Sequence, residues 1–164
     1  MTDQSREIEG RVTSFLDDIG ASYEVVQIDP DFADTINFCE KYGFPIETSG
    51  NTIVVASKRG AKKHSASVVR ADKRLDVNHK VCELMGIKRA SFAKAEETSE
   101  LTGMMIGGVT CLALPPDIPI YIDSSLLEQP YVILGGGSRS TKIKADPKVL
   151  QMIPNAEIID DLTL

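Results

Sequence analysis

The chain has 164 residues, 42% of them hydrophobic, and 18 basic against 24 acidic side chains for a net charge of −6. That length suits one domain, able to bury roughly 70% of its unfolded surface without a disulfide or metal staple. The acidic balance excludes a protein that coats nucleic acid. The lack of an apolar run of about 18 residues excludes a transmembrane helix, and the polar start MTDQSREIEG has no signal core, so a cytoplasmic location is expected.

Apolar residues at Ile8, Val12, Phe15, Leu16 and Ile19 recur at helical spacing, which predicts a helix over 6–19 stopped by Gly20. YEVVQI (23–28) reads as a strand. Asp34 and Thr35 can open a short helix that ends at Gly43. TIVVA (52–56) and SASVV (65–69), joined by a lysine-rich turn, predict a hairpin. Asp76 starts a helix running to Met85, with Gly86 as its stop. An extended piece follows at 87–92, then a helix over 94–102 closed by Gly103. Strands are expected at 118–122, 131–134 and 141–144, with one helical turn at 124–128. A last helix begins at Asp146 with Pro147 in its first turn. Short strands interspersed with helices predict a single mixed α/β (α+β) domain around a central, largely antiparallel sheet flanked by helices.

Charge is unevenly spread. Residues 1–57 carry 3 basic and 11 acidic side chains, 58–94 carry 11 and 3, and 95–164 carry 4 and 10. A central block of net +8 (11 − 3) therefore lies between blocks of −8 and −6. Such a block either keeps solvated strands and turns soluble or steers a polyanion to one face. The cysteines, Cys39, Cys82 and Cys111, form no CxxC, and the histidines are only His64 and His79. Neither a zinc site nor a disulfide framework is expected.

Two glycine clusters carry the candidate chemistry. Gly107-Gly108 precedes an apolar run and could bring backbone N–H groups to a carbonyl or oxyanion, or could simply serve a tight turn. It is neither a P-loop nor a dinucleotide fingerprint. Gly135-Gly136-Gly137-Ser138-Arg139 exceeds what a hairpin needs; it reads as an anion nest charged by Arg139 or as a bulged hairpin. Cys111, within the first loop, could be a nucleophile only with a lowered pKa. Asp123 either lines a pocket or caps the turn after it.

In combination these pieces resemble the YbaK/prolyl-tRNA synthetase-associated domain family, the stand-alone relatives of the synthetase editing domain. The resemblance spans about 33–155 and leaves an N-terminal helix and strand (5–28) outside it, within a single domain of 1–164. It rests on Thr35 opening a helix, on Asn51-Thr52-Ile53-Val54-Val55, and on ELTG (100–103). Ile106-Gly107-Gly108-Val109-Thr110, a strand ending in Asp123, and Leu134-Gly135-Gly136-Gly137-Ser138-Arg139 complete it. It implies hydrolysis of the ester joining a wrong, small amino acid to a tRNA 3′ end, acting in trans on a tRNA-Pro-like substrate, with no metal or cofactor. Asn51, Gly107, Gly108, Val109, Thr110 and Cys111 would form the catalytic pocket. Thr35, Asp123, Gly136, Gly137, Ser138 and Arg139 would bind substrate. The implied partners are the aminoacylated 3′ end and, as a protein, prolyl-tRNA synthetase or an elongation factor.

Two positions depart from the family pattern. Its lysine in K-T-L-V-V is Asn51 here, in N-T-I-V-V, and its G-x-x-x-P loop ends in Cys111 instead of proline. Asparagine keeps hydrogen bonding but no charge. A lost charge-assisted contact costs about 1.5–3 kcal/mol, or roughly 10- to 150-fold in rate. The alternative reading is therefore a catalytically impaired module of the same fold that binds tRNA or another ligand without hydrolysis.

Overall fold

The computed structural model describes residues 3–164. Helix α1 (Asp3–Asp18) buries Ile8, Val12 and Leu16, the face its periodicity defines. Strand β1 (Tyr23–Gln27) follows, then α2 (Thr35–Tyr42), which ends at Gly43 in the left-handed conformation. The hairpin is β2 (Gly50–Ser57) with β3 (His64–Arg70), in the register Val54↔Ala66. The helix expected at 76–85 opens as a wide π turn (Val77–Val81), capped by Asp76 accepting from the His79 N–H, before α3 (Cys82–Met85). Then come β4 (Ala90–Phe92), α4 (Ala95–Thr102), β5 (Ile120–Asp123), β6 (Val132–Gly135) and β7 (Thr141–Ala145).

The chain end departs from expectation. The last helix, α5, is only Val149–Met152. Pro154 cannot continue it, Asn155 turns the chain at φ +69°, and β8 (Ala156–Ile159) follows. With only a short apolar stretch and a parallel partner far away in sequence, β8 has no local signature.

The described strands build two sheets, not one central sheet: β1-β7-β6 and β4-β2-β3-β5-β8. Four of their six pairings are antiparallel, while β3–β5 and β5–β8 run parallel. The mixed α/β architecture stands, with the antiparallel share provided by hairpins and the parallel part by crossovers. The main core packs Val12 and Leu16 of α1 against Val68, Ile122, Leu134 and Ile143 from both sheets. Each such side chain contributes about 1.5–3 kcal/mol of burial. A separate cluster sets Phe38 of α2 against Ile133 of β6, with Phe44 stacked on Phe38 at 5.3 Å. No described helix is long and apolar enough to cross a membrane.

The sheets meet where Ser49, just before β2, bridges Ile133 of β6 in parallel. Gly50 sits at this seam because a side chain there would press on Leu134, Val68 and Leu126. The start of β2, the N-terminus of α2 and the loop after α4 therefore converge on one spot.

Candidate active site

A cavity of about 450 Å³ opens at this seam, within the range of small-molecule sites. Thr35, Asn51, Gly107 and Val109 line it, together with Lys142. The Thr35 hydroxyl donates to Asn51 Oδ1 at 2.6 Å, tying α2 to β2. This bond occupies the amide oxygen, so the Asn51 NH₂ is the group left to serve a ligand. Phe92 is 58% and Ile106 44% exposed, and both give the cavity an apolar rim.

The two glycine clusters turn out to be one structure. The Gly137 N–H donates to Gly108 O at 2.7 Å, and the Met105 N–H donates to Gly137 O at 3.0 Å. A Cβ on Gly108 would collide with the Ser138 backbone, one on Gly135 with the carbonyls of Gly108 and Val109, and one on Gly136 with Thr141. Gly137, at φ +94°, also lies against Ile8 of α1. These glycines allow backbone to lie directly on backbone. Within the first loop the Gly108 N–H is already bonded to Met105 O. The Gly107 and Val109 N–H groups have no hydrogen-bond partner among the described residues. The unpaired donors on cavity-lining residues of this loop are thus those two and not Gly108.

Several expected site residues lie outside the cavity. Gly136, Gly137 and Ser138 are buried against α1 and β7, and the Ser138 hydroxyl donates to Glu9. From Gly136 to Ser138 the second cluster packs on neighbouring backbone and on α1, while Gly135 lines the cavity. The Arg139 guanidinium is used as a clamp, donating to Ile106 O and Pro30 O at 3.0 Å each and lying 3.5 Å from Asp34. Asp123 takes the capping alternative: it is 3% exposed and accepts from the Ser125 N–H at 3.0 Å and the Arg70 N–H at 3.2 Å. Thr110 is buried, its hydroxyl accepting from the Leu112 N–H. Cys111 is fully buried, and desolvation pushes its thiol up to about 12, which leaves no thiolate for nucleophilic work. Among the described residues no His, Cys, Asp and Glu side chains group as a metal site requires.

Sequence reasoning missed Lys142. Its strand neighbour Ile143 points into the core, so alternation sends Lys142 to the opposite face, toward α2. Its ammonium donates to Ala33 O at 2.7 Å and to Gly107 O at 3.2 Å, and lies 5.5 Å from the Phe38 ring centre. Desolvation lowers its pKa to about 8, opposed by nearby Asp34. In sequence, T-K-I-K looks like a strand with a solvated lysine face, and nothing local distinguishes it. The lysines of the β2–β3 turn stay away from the cavity. Lys62 pairs with Glu97 at 3.4 Å, while Glu97 also meets His64 at 2.8 Å. Lys58, Arg59, Lys88, Arg89 and Lys94 are exposed, and the Lys58 N–H bonds Arg89 O, joining the hairpin tip to the entry of β4.

The model of the aminoacyl-tRNA editing domain matches residues 29–153. A candidate trans-editing enzyme for prolyl tRNA synthetase superposes with a TM-score of 0.80 at 27% identity, over 98% of this chain and 97% of its own. A solved hypothetical protein superposes with a TM-score of 0.81 at 28% identity, over 92% and 97%. A candidate signal transduction protein from Marinobacter aquaeolei VT8 shares the fold alone, at 15% identity and a TM-score of 0.64, with 30% of its length matched. The chain belongs to the aminoacyl-tRNA editing domain family.

Proposed function

We propose that this chain hydrolyses, in trans, the ester that joins a small, wrongly attached amino acid to a tRNA-Pro-like 3′ end. The observation that carries this reading is the convergence of Thr35, Asn51, Gly107 and Val109 on one cavity at the seam of the sheets. These come from three separate elements, and each offers a hydrogen-bonding group to a small polar ligand. The Gly107 and Val109 N–H groups would hold the acyl carbonyl and the oxyanion that forms from it. The Thr35–Asn51 pair would fix the aminoacyl group for attack by water. Water adds its oxygen to the carbonyl carbon, the bond between that carbon and the ribose oxygen breaks, and the ribose oxygen takes the proton the water sheds. Free amino acid and uncharged tRNA result, with no redox partner.

The surroundings support the same substrate. Phe92 at the rim offers a face on which a terminal base can stack. From Val54 to Lys58 the chain spans four residues of extended strand, about 13 Å. That leads from the cavity to the exposed basic cluster of Lys58, Arg59, Lys88 and Arg89, which would meet acceptor-stem phosphates.

The test is single-turnover deacylation of tRNA-Pro charged with alanine, cysteine, serine and threonine. Hydrolysis of at least one above its spontaneous rate is expected. No hydrolysis, with tRNA still bound, would favour a binding module, for which the uncharged Asn51 would be the reason.

A further inference from the structure

Lys142 is hard to explain as packing alone. It sits mid-strand at 6% exposure, and among the described residues no carboxylate lies within ion-pair distance of its ammonium. A buried charge without a partner is costly, and an apolar side chain of the same length would fill the space without that cost. Its two hydrogen bonds go to carbonyls of two cavity-lining segments that lie against each other, one leading into Thr35 and the other in the glycine loop. An ammonium has three N–H donors, so one is left over. Lys142 is the only basic residue lining the cavity among those described, and the position on β2 that faces the same space is the neutral Asn51.

We propose that Lys142 supplies the positive charge of the active site from β7, its remaining N–H stabilising the oxyanion of the scissile ester. This rests on the deacylase reading above. As the water oxygen bonds to the carbonyl carbon, the C=O π pair moves onto the carbonyl oxygen beside the ammonium. When the intermediate collapses, that pair re-forms C=O and the ribose oxygen leaves with the proton shed by the water. Lys142 stays protonated throughout and transfers nothing. The charged and titratable groups near its ammonium are Asp34 and Cys39 from the α2 side, and Arg139 from the β6–β7 loop. Gly107 and Val109 on the loop and Asn51 on β2 carry no charge. The chargeless form becomes the major one above about pH 8, so the enzymatic rate should fall there relative to the spontaneous one.

The test uses the full chain and the four charged tRNA-Pro substrates, comparing the wild type, Lys142→Met, Asn51→Lys, and the Asn51→Lys/Lys142→Met double variant. A thermal melt establishes that each variant is folded. Loss of one preorganised oxyanion donor is expected to cut the single-turnover rate of Lys142→Met about 10²- to 10³-fold. The double variant should recover at least about tenfold of that, because a lysine at 51 places an ammonium in the same cavity. A folded Lys142→Met variant with wild-type rate overturns the proposal. So does a slow Lys142→Met that lysine at 51 fails to rescue, since that marks Lys142 as a latch between loops. A wild type that hydrolyses none of the substrates overturns the deacylase reading and this proposal with it, an outcome distinct from the other two.

Discussion

Replacing Lys142 by methionine should reveal a stability difference that depends on pH in one window only. The Lys142 pKa is lowered from 10.5 to about 8 by desolvation. Above pH 10.5 the amine is neutral in both folded and unfolded chains, and burial costs it nothing extra. Below pH 8 it is charged in both, and the folded state carries the full penalty. In between, the unfolded chain binds more protons, so wild-type stability rises with pH. Across that window the difference in proton binding amounts to about 3 kcal/mol. Methionine does not titrate, while every other group is common to both proteins and cancels in the difference. The hydrogen bonds lost at Ala33 O and Gly107 O add an offset, and the neutral amine can still make them, so the offset is nearly constant. Urea unfolding of both proteins at half-unit steps from pH 7 to 11 measures the difference. The wild type should gain about 3 kcal/mol on the variant between pH 8 and 10.5. A flat difference across that window would refute the buried, desolvated ammonium and the chemistry built on it.

Other expectations test separate parts of the site. Gly108→Ala drives a methyl group into the Ser138 backbone; it should cost at least ~2 kcal/mol and lower Tm by about 4–8 °C, while a scan showing no change would dismiss the loop-on-loop contact. Thr35→Val removes the donor to Asn51 Oδ1; the deacylation rate should drop about 3- to 10-fold with Tm nearly unchanged. Cys111, with its thiol pushed up to about 12, should resist iodoacetamide at pH 8 in the folded protein and react only on unfolding, which mass spectrometry of the labelled peptides reads directly. Charge reversal at Lys58 and Arg89 should weaken tRNA binding and flatten its salt dependence by about one unit of slope per residue, with hydrolysis of a short aminoacyl-nucleoside unaffected.

Much of the frame was legible in the sequence because its signals are local. The 3.6-residue spacing of Ile8, Val12 and Leu16 marks α1, and β-branched runs mark β2 and β3. Gly43, Gly86 and Gly103 all close helices in the left-handed conformation, as their positions suggested. The family motifs likewise pointed to Thr35, Asn51 and Gly107, which do line one cavity. What failed was any reading that needed to know which residues face one another. Asp123 and Ser138 carry the right chemistry but turn to a cap and to α1, and β8 exists only because β5 offers it a parallel edge.

The sequence by itself determined the family, most of the secondary structure, and the neutral side chain at position 51. Those follow from short-range spacing and residue type. Tertiary structure alone decided that the two glycine clusters are a single backbone contact, that Cys111 is sealed in the core, and that a lysine enters the cavity from β7. Lys142 reaches the carbonyl of Ala33 across 109 residues of chain. No local pattern encodes that meeting, because strand alternation fixes only which side a residue takes, and the packing of α2 against the smaller sheet decides what waits there.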